Sequence, residues 1–85
     1  MDLRLQFEQA TAQSRTLGEQ PNHALLKLYA LYKQATAGDA TGPRPGGFNM
    51  VGRAKFDAWA TLAGTSAEQA MRDYIALVDE LSRRA

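Results

Sequence analysis

The chain has 85 residues, 45% of them hydrophobic, with ten basic and nine acidic side chains and no cysteine. That length makes one small domain, residues 1–85, burying about 60–65% of its unfolded surface; the missing cysteine excludes disulfides, thiolate metal sites and thiol nucleophiles. A net charge of +1 argues against a general nucleic-acid binder, and no apolar run approaches the ~20 residues of a membrane span or a signal-peptide core, so the expected setting is cytoplasmic, without stable membrane insertion.

Helix punctuation divides the chain into four. Asp2 caps a first helix whose stripe runs Leu3, Phe7, Ala10, Ser14 and Leu17 and stops at Gly18. Pro21-Asn22 opens a second helix that continues to Ala37 and closes at Gly38. Residues 38–48, GDATGPRPGGF, hold four glycines and two prolines and form no regular element. A third helix is expected over Asn49 to Ala63. Thr65 then opens the box TSAE, with Glu68 three residues on, and a fourth helix reaches Arg84. With no period-two stretch, the fold class is all-α, a four-helix bundle. The short turns after helices one and three allow antiparallel neighbours, and the long loop allows a crossover.

A helical wheel at about 100° per residue assigns faces. On helix two, Leu25, Leu28 and Tyr32 fall together as a core face with Leu31 and Ala35 beside it, while Lys27 and Gln34 point to solvent. Leu26, Tyr29 and Lys33 form a separate edge strip: an apolar foot, a ring with a hydroxyl, and a cation. On helix three, Lys55 sits inside the apolar arc of Val51, Ala58, Trp59 and Leu62, where an unpaired ammonium must reach the rim or find an anion. Both lysines also admit a plain reading as side chains snorkelling over an edge, Lys33 over Tyr29. Helix four carries Ala67, Ala70, Met71, Tyr74, Val78 and Leu81 on one side, and a buried Tyr74 hydroxyl wants a partner. Helix one ends in a small, mildly polar patch, Ala10, Thr11 and Ser14, followed by Arg15. If the bundle brings Arg15, Lys33 and Lys55 to one rim, they make an anion site beside an apolar groove, suited to an amphiphile with several negative charges.

Catalysis has little to stand on. No glycine-rich phosphate loop precedes a helix, and the lone His23 has neither a serine–carboxylate set nor a metal-ligand spacing around it. No catalytic residue, metal or cofactor is therefore expected. Arg83-Arg84 on helix four is too little for a membrane-binding surface.

The segments LYALYKQATAGD, RPGG and GRAKFDAWATLAGTSAEQAMRDYIALVDEL resemble the acyl-CoA-binding protein family, also called diazepam-binding inhibitor, over nearly the whole chain. The resemblance implies a bundle of up-down-down-up topology with a shallow site for the coenzyme A thioesters of fatty acids. It also implies a monomeric, non-catalytic carrier that buffers medium- to long-chain acyl-CoA and passes it to acyl-CoA-using enzymes. By the same resemblance, Tyr29 and Lys33 hold the nucleotide end, Lys55 joins them at the 3′-phosphate, and Tyr74 lies at the ligand site. Ala30, Leu31 and Tyr32 fall within the ligand-contacting segment, the latter two mainly structural here. Arg15 stands where many members have a lysine near the phosphates, and Leu25 and Leu26 match apolar positions lining the acyl groove. Three departures stand out: Phe56 for the first tryptophan of KWxAW, Val51 for a lysine, and Arg15, whose planar guanidinium is not a compact ammonium. The competing reading is a protein-interaction module that kept the fold and lost the ligand.

Overall fold

Asp2 accepts a hydrogen bond from the Arg4 backbone N–H at 3.0 Å and so starts the first helix by satisfying a donor that the helix itself leaves free. The computed structural model describes residues 2–84 and contains α1 (Leu3–Ser14), α2 (Asn22–Ala37), α3 (Met50–Ala60) and α4 (Ala67–Arg83), with no strand among the described residues. Leu17, assigned above to the first helix, lies beyond its end but still packs against the core. Likewise α3 stops at Ala60, three residues short of expectation, because the chain turns through Thr61 and Leu62.

Two caps refine the punctuation. Gly38 closes α2 at φ 82°, a left-handed conformation that costs a Cβ-bearing residue strain, and its N–H still reaches the Gln34 carbonyl. The cap of α4 is Ser66, not Thr65: its hydroxyl accepts from the Gln69 N–H at 3.1 Å. The cap is thus shifted by one residue, and the Gln69 side chain donates onward to Asp73 Oδ1. Thr65 turns its carbonyl inward instead, as described below.

The register of contacts gives the topology. Phe7 meets Tyr74, and further along both helices Gln13 donates to the Ser82 hydroxyl at 2.8 Å, so α1 and α4 run in the same direction. Lys55 lies over Tyr29 and, one turn later on both, Lys33 lies over Trp59, so α2 and α3 are also parallel. The end of α2, at Gln34, touches Thr65 just before α4 begins, which makes those two antiparallel. The result is up-down-down-up. A parallel α2–α3 pair demands a chain return of a full helix length, and residues 38–49 supply it.

The core lies between α2 and α4, with α1 closing its other side. Ala24, Leu28, Leu31 and Ala35 of α2 meet Ala70, Met71, Tyr74, Val78 and Leu81 of α4, and Phe7 and Ala10 of α1 complete the cluster. Phe7, Tyr32 and Tyr74 form an aromatic triangle with centroids 5.2–6.4 Å apart; pairs of this kind add about 0.5–1.5 kcal/mol beyond their buried area. Helix α3 has no buried residue and packs on α2 alone.

Two wheel assignments on α2 are overturned. Leu25 and Tyr32 are 50% and 44% exposed, so neither is a core residue. Gln34, assigned to solvent, is 0% exposed. Its Nε2 donates to Asp39 Oδ1 at 2.7 Å and to the Thr65 carbonyl at 2.9 Å, which offsets the burial of its amino group, while Oε1 is buried without a partner among the described residues.

Candidate functional site

The sequence leaves an edge strip on α2 and a lysine out of place on α3; the fold puts them face to face. Lys33 of α2 extends its Nζ to 4.9 Å from the centre of the Trp59 ring on α3. In the reverse sense, Lys55 of α3 places its Nζ 5.2 Å from the centre of the Tyr29 ring on α2. Both distances lie within cation–π range. Tyr29 and Lys33, and Lys55 and Trp59, are each one turn apart, so two parallel helices cross-link through a ladder of alternating rings and cations. Among the described residues neither ammonium is paired with a carboxylate. Lys33 snorkels, but over Trp59 rather than Tyr29.

The Trp59 ring is fixed from two sides. Trp59 donates its indole Nε1–H to the Gly38 carbonyl at 2.7 Å, and Phe56 meets its ring edge-on at 6.3 Å. Asp39 accepts from the Gly64 N–H at 2.9 Å and from Gln34. The Gly64 bond first and the Gln34 bond second hold the Asp39 carboxyl below its ordinary range. Arg44 forks onto Asp57 through Nε at 2.8 Å and Nη2 at 2.6 Å, tying the crossover loop to α3. That bond chiefly lowers the Asp57 carboxyl, assisted by the positive charges of Arg44 and Arg53.

Next to the ladder, toward the N-terminal ends of α2 and α3, opens a cleft of about 260 Å³ lined by Asn22, Leu25, Leu26, Val51, Ala54 and Lys55. Its walls are apolar except at Lys55 and Asn22. The exposure of Leu25 and Val51 is thereby explained: they face a groove, not the core. Apolar cleft and cationic ladder share Lys55 and form one continuous surface.

Other expected site residues stand elsewhere. Ala30 and Leu31 are buried to 1% exposure, so their side chains support the site from beneath and offer it no surface. Tyr74 is buried too, and its hydroxyl donates to Ser14 Oγ at 3.1 Å. The small patch on α1 thus supplies the partner that the buried phenol required. Tyr32 is half-exposed and stacks on Phe7 at 5.9 Å, spanning the gap between α1 and α2. Arg15 caps the end of α1, exposed and without an ion pair among the described residues. His23 is exposed at the start of α2. Trp59, Ala54 and Asn22 were not singled out from the sequence as site residues. The spacing of Lys55 and Trp59 on one helical face was the available signal for Trp59.

Residues 4–78 match the family described as acyl CoA binding protein. The chain belongs to this family. It is 47% identical over 78 residues to acyl-CoA-binding protein homolog 1 of Caenorhabditis elegans, covering 91% of each chain. It is 51% identical over 83 residues to the acyl-CoA-binding protein homolog of Manduca sexta, covering 95% of this chain and 92% of that one. The crystal structure of Oryza sativa acyl-CoA-binding protein 2 superposes with a TM-score of 0.95 at 44% identity, over 98% of this chain and 93% of the other. The acyl-CoA-binding protein fold is therefore the frame in which the ladder and the cleft are set. Among the described residues no helix is long and apolar enough to cross a membrane.

Proposed function

We propose that the protein binds and carries fatty acyl-CoA esters of medium to long chain, with the cationic ladder taking the nucleotide end and the cleft taking the acyl chain. One observation carries this reading: Lys33 and Lys55 stand without a carboxylate partner over aromatic rings, and Lys55 also lines the apolar cleft. Two ammonium groups held together without carboxylates are an anion site, and coenzyme A brings about four negative charges to it. Charge-assisted hydrogen bonds of this kind are about twice as strong as neutral ones. The adjoining Tyr29 ring offers a face for the adenine. Each methylene buried in the cleft contributes at most about 0.8 kcal/mol, before ordering costs are subtracted.

The protein acts as a monomeric, cytoplasmic carrier without chemistry or cofactor, delivering its ligand to acyl-CoA-using enzymes. The near-even charge and the lone, exposed His23 fit a carrier better than a catalyst, and a chain without cysteine needs no oxidising compartment. Arg15, exposed at the end of α1, is a further candidate for the phosphates, reaching them from across the gap spanned by Tyr32. A module that had lost its ligand has no reason to keep two unpaired lysines stacked on rings.

Isothermal titration tests the reading. Long-chain acyl-CoA is expected to bind far more tightly than free coenzyme A, and free fatty acid weakly. Equal affinity for acyl-CoA and for the free acid would falsify it.

A further inference from the structure

Trp59 grips the end of α2 and faces Lys33 at the same time. Its indole Nε1–H bonds the Gly38 carbonyl at 2.7 Å, and Gly38 closes α2 five residues after Lys33. Phe56, almost one turn earlier on α3, meets the ring edge-on at 6.3 Å. With the indole so anchored, the Lys33 Nζ lies 4.9 Å from its centre.

The two lysines of the ladder are not held alike. Lys55 is exposed and lies over Tyr29, whereas Lys33 is half-buried and lies over the indole, the aromatic ring that attracts a cation most strongly. Among the described residues no carboxylate restrains Lys33. A free lysine side chain samples many rotamers, and a ligand that must order it forfeits roughly two- to tenfold in affinity. Trp59 is not among the residues lining the cleft, so its influence falls on the cationic end of the site.

We propose that Trp59 is a positioning residue, whose anchored indole holds the Lys33 ammonium where a ligand phosphate meets it, before the ligand arrives. The inference rests on a coenzyme A ester being the ligand. Trp59 acts through Lys33 and needs no ligand contact of its own. Its contribution is therefore tied to Lys33, independent of Lys55, and blind to the acyl chain.

A double-mutant cycle read by calorimetry tests this. Trp59→Leu is expected to weaken free coenzyme A and long-chain acyl-CoA by the same factor, roughly three- to tenfold. In the Lys33→Ala background the same substitution is expected to change affinity by no more than about twofold, and in the Lys55→Ala background to keep its full effect. Trp59→Phe retains a ring but loses the bond to Gly38, and is expected to fall between parent and Trp59→Leu. A tryptophan that only supported α3 gives another pattern. Its loss would displace Val51, Ala54 and Lys55, shrink the gain from the acyl chain, and weaken binding as much without Lys33 as with it; that outcome overturns the proposal. A second measurement needs neither variant nor ligand. In the NMR spectrum of the free parent, the ε-methylene protons of Lys33 are expected upfield of those of exposed Lys27, shifted by the ring current of the indole. Coincidence of the two overturns the proposal. A parent that binds no coenzyme A ester overturns the carrier reading and this proposal with it, whereas binding with an unshifted Lys33 overturns this proposal alone.

Discussion

The amide of Gln34 holds three parts of the chain at one point. It is wholly buried at the end of α2 and bonds both Asp39, at the start of the crossover, and the Thr65 carbonyl, ahead of α4. Replacing it by alanine removes two part-buried hydrogen bonds and leaves the Thr65 carbonyl without its donor; bonds of this kind are worth about 1 kcal/mol each. Gln34→Ala is therefore expected to destabilise the fold by about 2–3 kcal/mol in urea unfolding. A loss near zero would mean that water replaces the amide at no cost. Lys33→Ala and Lys55→Ala predict the opposite pattern. These side chains cover rings at the rim and carry no core contact, so each substitution is expected to cost no more than the lost cation–π contact, about 0.5–1 kcal/mol. Acyl-CoA affinity is expected to fall at least about tenfold in each, as befits a lost charge-assisted contact. Unchanged affinity in both variants would refute the ladder as the phosphate site. At this scale the sequence was legible where chemistry is local and opaque where it is not. The strip Leu26, Tyr29 and Lys33 stands apart from the core as the wheel separates it. Gln34, in contrast, looks solvent-facing because no helical projection contains Thr65, 31 residues away. Leu25 departs from the wheel for a related reason: α2 borders both α3 and α4, so its apolar surface serves a groove as well as a core, while Tyr32 stacks on Phe7 of α1 at the edge of the core.

Helix α3 is the least secured of the four elements. It buries no residue, packs on α2 alone, and depends on the ladder, the Trp59–Gly38 bond and the Arg44–Asp57 fork for its position. Segments with few buried contacts open at lower free energy than the global fold. The amides of α3 are thus expected to exchange hydrogen well before those of α4, which contributes Ala70, Met71, Tyr74, Val78 and Leu81 to the core. With the proposed site spanning α2 and α3, saturating acyl-CoA is expected to narrow that gap. Equal protection of α3 and α4 in the free protein would contradict the picture. Helix existence and order are read easily from Asp2 and Gly38, which carry a cap and a break. Boundaries are harder. Thr65 and Ser66 are both good caps by chemistry, and the choice between them was made by Thr65 turning its carbonyl toward Gln34.

At the scale of the molecule, the parallel pairing of α2 with α3 forces a long crossover, and two carboxylates pin it. Asp39 ties its start to the turn before α4 through Gly64 and Gln34. Asp57 ties its middle to α3 through Arg44. The Cα trace spans 39 × 28 × 16 Å, and a helix with its side chains is about 10–12 Å thick, so the molecule is a shallow slab and the ladder and cleft lie on a face that these ties shape. Both carboxyls are held below the ordinary range in the folded state, Asp39 chiefly by the Gly64 N–H and Asp57 chiefly by Arg44. A group whose folded value is depressed contributes stability above its unfolded value, near about 4 for aspartate. That contribution disappears as pH falls through the lower folded value. The urea midpoint is therefore expected to stay level from neutral pH to mildly acidic conditions, then to drop below about pH 4. Asp39→Asn and Asp57→Asn together are expected to lower the midpoint at neutral pH and to flatten the acid drop, so that the two curves converge at low pH. Parallel curves for the parent and the doubly substituted chain would assign the acid sensitivity to other carboxylates and leave the crossover pinned by Trp59 alone.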